Sequence, residues 1–89
     1  MAVQNAADLL PNRTMETVYH EALLEHLFKR PYAVLVRDTL AQGGAELDLL
    51  QMSHRILLDL ARLARGEISS IHIPNRLPRA GEYRDLVAV

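Results

Sequence analysis

The chain has 89 residues and a mass of 10.0 kDa, which is enough for one domain with one modest hydrophobic core. Its formal net charge of −1 gives no general attraction to nucleic acid or to anionic membranes. The absence of cysteine excludes disulfides, thiolate metal sites and cysteine nucleophiles, and 49% hydrophobic residues exclude a disordered chain. Aromatic residues make up only 4%, so the core is aliphatic, as is typical of packed helices.

The first 13 residues predict a flexible lead-in before the folded part of the chain. Met1 to Leu10 lacks the basic start and the apolar run of a signal peptide. No segment of the sequence approaches the roughly 18 apolar residues of a membrane span. We therefore expect a soluble, cytoplasmic protein of bacterial type with no membrane association.

The first predicted helix covers Met15 to Arg30, with Thr14 or Asn12 as its N-cap. Pro31 ends it, because the residue before a proline avoids the helical region. Apolar residues recur at spacings of three and four and predict the inward face: Met15, Tyr19, Ala22, Leu23 and Leu27. On this register His20 and His26 are solvated side chains.

The second segment, Tyr32 to Gln42, combines two signals. The β-branched residues within residues 32–36 favour a strand. Residues 37–42, followed by Gly43, are typical of a helix that ends on a glycine cap. We favour one short, largely buried helix with Pro31 in its first turn.

The third helix, Glu46 to Arg65, is predicted to end at Gly66. One narrow polar face carries Asp48, Gln51, Arg55, Asp59 and Arg62, whose charges are expected to form solvated ion pairs. The apolar surface covers about two thirds of the circumference, which is more than a surface helix requires. It therefore predicts cover on two sides, by the core and by a dimer partner, through Leu50, Met52, Ile56, Leu57, Leu60 and Leu63.

Residues 67–89 predict an extended C-terminal arm that includes a possible edge strand and packs on the domain or on a partner chain. Its first seven residues carry three isoleucines and are expected to pair or pack. The arm would then present four residues for partner contact: Arg76, Arg79, Tyr83 and Arg84. The sequence thus predicts a mainly α fold of about three helices, with a helical domain over residues 14–66.

Catalytic and cofactor motifs are absent from the sequence. His20 and His26 are six residues apart and do not share a helix face, and no H-E-x-x-H run occurs. His54 is expected at the boundary of the apolar face, and His72 is expected to be exposed. The serines lack a nucleophile motif, and Gly43-Gly44 lacks the residues of a phosphate loop. We therefore predict no enzyme, no cofactor and no metal site.

The leading functional expectation is a regulatory or interaction protein that acts through a helical, homodimeric interface and binds another protein. One alternative is a nucleic-acid-binding transcriptional regulator that uses the basic arm. The outline of a helix-turn-helix is present, but Glu46 and Asp48 would place carboxylates against phosphates. A second alternative is an accessory subunit of a larger enzyme or assembly.

Overall fold

The computed structural model describes residues 15–83, so the predicted lead-in and Arg84 lie outside the described residues. Three helices form: α1 over Met15–Phe28, α2 over Tyr32–Ala41 and α3 over Glu46–Ala64. Residues 15–83 contain no strand. The prediction of a mainly helical bundle of three helices is therefore confirmed. In this described part of the chain, no helix has the length and apolarity that crossing a membrane requires.

The segment that could have been a strand is the helix α2. The backbone N–H groups of Val34 and Leu35 both donate to the carbonyl of Pro31, at 3.0 and 3.1 Å. Pro31 itself stands just before the first helical residue, where its missing N–H costs no hydrogen bond. The segment thus forms one short helix, as predicted. The expectation that this helix is largely buried is wrong, because only one of its sides meets the core and only Leu35 and Thr39 are buried.

The helices α2 and α3 end in the same way, with a glycine in the left-handed region. Gly43 has a φ of 87° and Gly66 a φ of 75°. After α3, the N–H of Gly66 donates to Leu63 and the N–H of Glu67 donates to Arg62, which is the Schellman arrangement. After α2, Gly43 and Gly44 bond to Leu40 and Thr39 in the same pattern. Both predicted glycine caps are confirmed.

The core is small and takes one or more residues from every helix and one from the arm. Its buried hydrophobic members are Leu24, Leu35, Leu49, Met52, Ile56 and Leu77. The Ser53 hydroxyl in α3 donates to the His20 carbonyl in α1, and the Tyr32 hydroxyl at the start of α2 donates to Glu46 at the start of α3. Because Tyr32 follows α1 by four residues, the end of α1 lies near the start of α3, and these two helices run antiparallel.

The predicted inward face of α1 is wrong for three of its five residues, while Leu23 and Leu27 pack against the core as predicted. Met15, Tyr19 and Ala22 are exposed, while His20 is buried and Leu24 is fully enclosed. A rotation of α1 by about 100° brings Leu24 and its apolar neighbours inward together, and His20 follows because it lies one turn before Leu24. The expectation that His20 is solvated is therefore also wrong.

The arm packs into the core through residues 77–78, and not through the isoleucines of residues 67–73 that the sequence indicates. Ile68 and Ile71 are half-buried and Ile73 is 39% exposed, whereas Leu77 is only 3% exposed and Pro78 is fully buried. Gly44 makes this seat possible. A Cβ atom at Gly44 would lie 2.7 Å from the Pro78 carbonyl oxygen, so no larger residue fits without a shift of the backbone.

We expect Leu77→Ala to lower the free energy of unfolding by about 2–5 kcal/mol, because a buried leucine is removed from the core. Ile73→Ala in the same arm is the matched control and should cost less than about 1 kcal/mol. Urea denaturation followed by far-UV circular dichroism measures both. Equal, small losses for the two variants would show that the arm is not part of the core.

Candidate functional site

Asp48 does not belong to the solvated stripe where the sequence placed it. The residue is fully buried in the first turn of α3. Its Oδ2 accepts hydrogen bonds from the backbone N–H groups of Ala45, at 3.0 Å, and of Gly81, at 3.3 Å. Ala45 has no side-chain acceptor for the helix N-terminus, so Asp48 supplies the capping carboxylate from within the helix. This one carboxylate joins the start of α3 to the arm.

The rest of the polar face forms the ion pairs that the spacing predicts. Asp59 lies 3.4 Å from Arg55 and 3.9 Å from Arg62, at the i, i+4 and i, i+3 positions of α3. The Asp59 side chain is 17% exposed, whereas the two arginine side chains are 52% and 53% exposed. The surface at this point therefore presents two guanidinium groups above one largely covered carboxylate.

Within the arm, Arg76 and Glu82 form a two-bond ion pair. Arg76 Nη1 and Nη2 donate to the two carboxylate oxygens of Glu82 at 3.0 and 2.6 Å, and the Arg79 backbone N–H adds a third bond at 3.0 Å. The hydrogen bond from Arg76, followed by that from Arg79, lowers the pKa of Glu82. The same pair raises the pKa of Arg76.

The four residues predicted for partner contact are thus not equivalent. Arg76 is engaged with Glu82 inside the chain, Arg79 is exposed, and Arg84 lies outside the described residues. Tyr83 is half-buried against the core, and burial, together with the charge of Glu82, raises the pKa of its hydroxyl. Tyr83 also lines a concave surface.

That concave surface is a groove of about 260 Å³ between α3 and the arm. We call it the α3–arm groove and define it by seven lining residues: Met52, Arg55, Ile56, Asp59, His72, Pro74 and Tyr83. Met52 and Ile56 are core residues whose edges form its floor. Sequence reasoning missed this groove because it depends on how the arm returns across α3.

The six predicted interface residues of α3 divide between the core and the surface. Met52 and Ile56 are in the core, Leu50 and Leu57 are half-buried, and Leu60 and Leu63 are exposed. Leu47 and Leu58 are also exposed, at 45% and 48%. On the helix period of 3.6 residues these last two share the side of α3 that points away from the core. This outer stripe of α3 consists of Leu47, Leu50, His54, Leu57, Leu58 and Ala61.

The histidines form no metal site in residues 15–83, where no cluster of three or more ligand-type side chains occurs. The rings of His20 and His54 meet edge to face, with centroids 6.0 Å apart. His54, a member of the outer stripe, is therefore half-buried beside α1, at the boundary that the sequence predicts. His72 is exposed, as predicted, and lines the α3–arm groove.

Comparison with known proteins yields no match: no protein-family model, curated protein or solved structure is significantly similar to this chain.

Acid should destabilise the arm through Glu82. Because folding lowers the pKa of this carboxyl from its ordinary value of 4.5, the unfolded chain takes up the proton at a higher pH than the folded chain. The contribution to stability is therefore complete above the ordinary pKa and is lost as the pH falls through the lowered value.

We expect the free energy of unfolding of Glu82→Gln to fall less steeply with acid than that of the unmodified protein. Urea denaturation at a series of pH values measures the slope. The variant Arg76→Gln, which removes the other partner, should show the same flattened slope. Parallel slopes for all three proteins would contradict the assignment of the ion pair.

Proposed function

We propose that this protein is a non-enzymatic, regulatory interaction protein that forms a homodimer through the outer stripe of α3. The observation that supports the proposal is the exposure of Leu47 and Leu58, nearly half of each side chain, on a helix whose opposite side already fills the core. Large apolar side chains clustered on one face of a small protein mark an interaction site.

The stripe has the composition of an interface core. From Leu47 to Ala61 it extends about 21 Å along the helix, at 1.5 Å per residue. With histidine counted as neutral, none of the six residues of the outer stripe carries a formal charge. The charged residues Glu46, Arg55 and Arg62 lie beside the stripe. Depletion of charge at the centre and charge at the rim is the usual arrangement of protein interfaces.

A second copy is the occupant that this surface fits best. A two-fold interface brings the same surface of both copies together, so a stripe with formal charges would meet its own charges, whereas this stripe has none. His54 is midway between Leu47 and Ala61. An antiparallel pair centred on His54 would place Leu47 opposite Ala61 of the second copy, which matches a large side chain with a small one.

The alternatives carried by the sequence receive less support. The basic arm loses one of its three arginines to Glu82, and the net charge of the chain remains −1. No observation on residues 15–83 favours an accessory subunit over a homodimer. We further propose a cytoplasmic location, supported by the absence of cysteine from the sequence.

We expect sedimentation equilibrium at micromolar concentration to give about twice the 10.0 kDa mass of one chain. Leu58→Glu should give a monomer, because it would bury a carboxylate in the interface without a partner. Leu40→Glu is the matched control, since Leu40 is also an exposed leucine, at 57% against 48% for Leu58, but belongs to α2 and not to the outer stripe. It should leave the dimer intact.

A monomeric unmodified protein would contradict the homodimer. Equal dissociation by Leu58→Glu and Leu40→Glu, with both variants retaining the helical circular dichroism spectrum, would contradict the assignment of the dimer interface to the outer stripe.

A further inference from the structure

We propose that the α3–arm groove binds a short peptide segment of a partner protein, which inserts one apolar side chain and places a neighbouring carboxylate against Arg55 and Arg62. This inference does not depend on the homodimer, because the groove and the outer stripe lie on different sides of α3.

The size of the groove selects the kind of occupant. Its volume of about 260 Å³ is below the roughly 300–1,000 Å³ of pockets that enclose whole small molecules or cofactors. Its floor is formed by the apolar side chains of Met52 and Ile56, and Pro74 and the ring of Tyr83 stand on the arm side. A groove of this size and lining accommodates an apolar side chain and leaves the backbone that carries it at the surface.

The charge at the rim selects what stands beside that side chain. Asp59 is shared between Arg55 and Arg62 and is mostly covered, so two positive charges face one negative charge. On the arm side, Glu82 is held by Arg76 and does not offset this surplus. An incoming carboxylate restores charge balance and accepts hydrogen bonds from the guanidinium groups.

The groove exists before any partner arrives. Its arm wall is fixed by Leu77 in the core and by the bond from the Gly81 N–H to the buried Asp48. Pro74 and Pro78 flank residues 75–77 and further limit the backbone of the arm, because each proline fixes its own φ. A preformed groove lowers the entropy that binding would otherwise cost.

The test uses the full chain labelled with ¹³C at its methionine methyl groups. The probe is the peptide acetyl-Asp-Leu-Leu-amide, and its charge control is acetyl-Lys-Leu-Leu-amide. Met52 lies in the groove floor, whereas Met15 is exposed at the start of α1 and reports nonspecific contact. We expect the acidic peptide to shift the Met52 methyl signal in a saturable manner, to leave Met15 unchanged, and to bind at least tenfold more tightly than the basic peptide.

Variants locate the carboxylate contact. Arg55→Gln and Arg62→Gln should each weaken binding of the acidic peptide by about tenfold. Arg37→Gln is the matched control, since Arg37 is an exposed arginine of α2 that pairs with Asp38, and it should leave the affinity unchanged. Circular dichroism checks that each variant folds. Because two arginines are replaced independently, the test remains valid if one of the two variants does not fold.

Three outcomes would overturn the proposal. The first is the absence of a saturable shift at Met52. The second is equal affinity for the two peptides, which would show that the rim does not select a carboxylate. The third is a Met52 shift that depends on protein concentration without peptide in the Leu58→Glu variant, whose outer stripe cannot pair. This result would identify a second copy as the occupant of the groove.

Discussion

The buried carboxylate of Asp48 is the interaction on which the rest of this structure depends. A chain with so small a core gains most from contacts that organise two elements at once, and Asp48 does this by accepting hydrogen bonds from Ala45 and Gly81. The first bond fixes where α3 begins. The second brings the arm back across the bundle, so that Leu77 and Pro78 can pack beside Gly44. A buried carboxylate without such donors would be strongly destabilising, which ties the arm to the helix start.

Sequence reasoning succeeded where a local signal determines the structure. The glycines at positions 43 and 66 end α2 and α3 because both adopt a left-handed conformation that other residues resist. The i, i+3 and i, i+4 ion pairs of Asp59 also follow from spacing alone. Helix α1 ends at Phe28, two residues before the predicted end at Arg30, because Lys29 adopts a φ of 58°. Lysine rarely adopts this left-handed conformation, so the sequence does not indicate it.

It failed where burial depends on a distant partner. Asp48 shares a helical arc with exposed charges, and its bond to Gly81 depends on the return of the arm. A local sign was present, since an acidic residue three positions after Ala45 fits half of a capping box. Leu77 lies among prolines and arginines in a segment that resembles a linker, so no periodic pattern of apolar residues predicts its burial. The α3–arm groove could not be predicted from the sequence for the same reason, since it forms only where the arm packs beside α3.

Helix α3 thus has three distinct sides: one fills the core, one carries the outer stripe, and one forms a wall of the α3–arm groove. The wide apolar surface that the sequence indicates is only partly buried by the other residues between 15 and 83. Under the two proposals above, this division would let self-association and partner binding use one helix without competition. It also makes the position of the arm important for function, because the arm forms one wall of the groove.

Native-state hydrogen exchange at the Gly81 amide tests this account most directly. If the bond to Asp48 holds the arm in place, the Gly81 N–H opens only when the arm leaves the bundle. Its exchange should then be slowed nearly as much as that of the Met52 and Ile56 amides in α3. Exchange of Gly81 at the rate of an unprotected loop amide, while the α3 amides remain protected, would contradict the account.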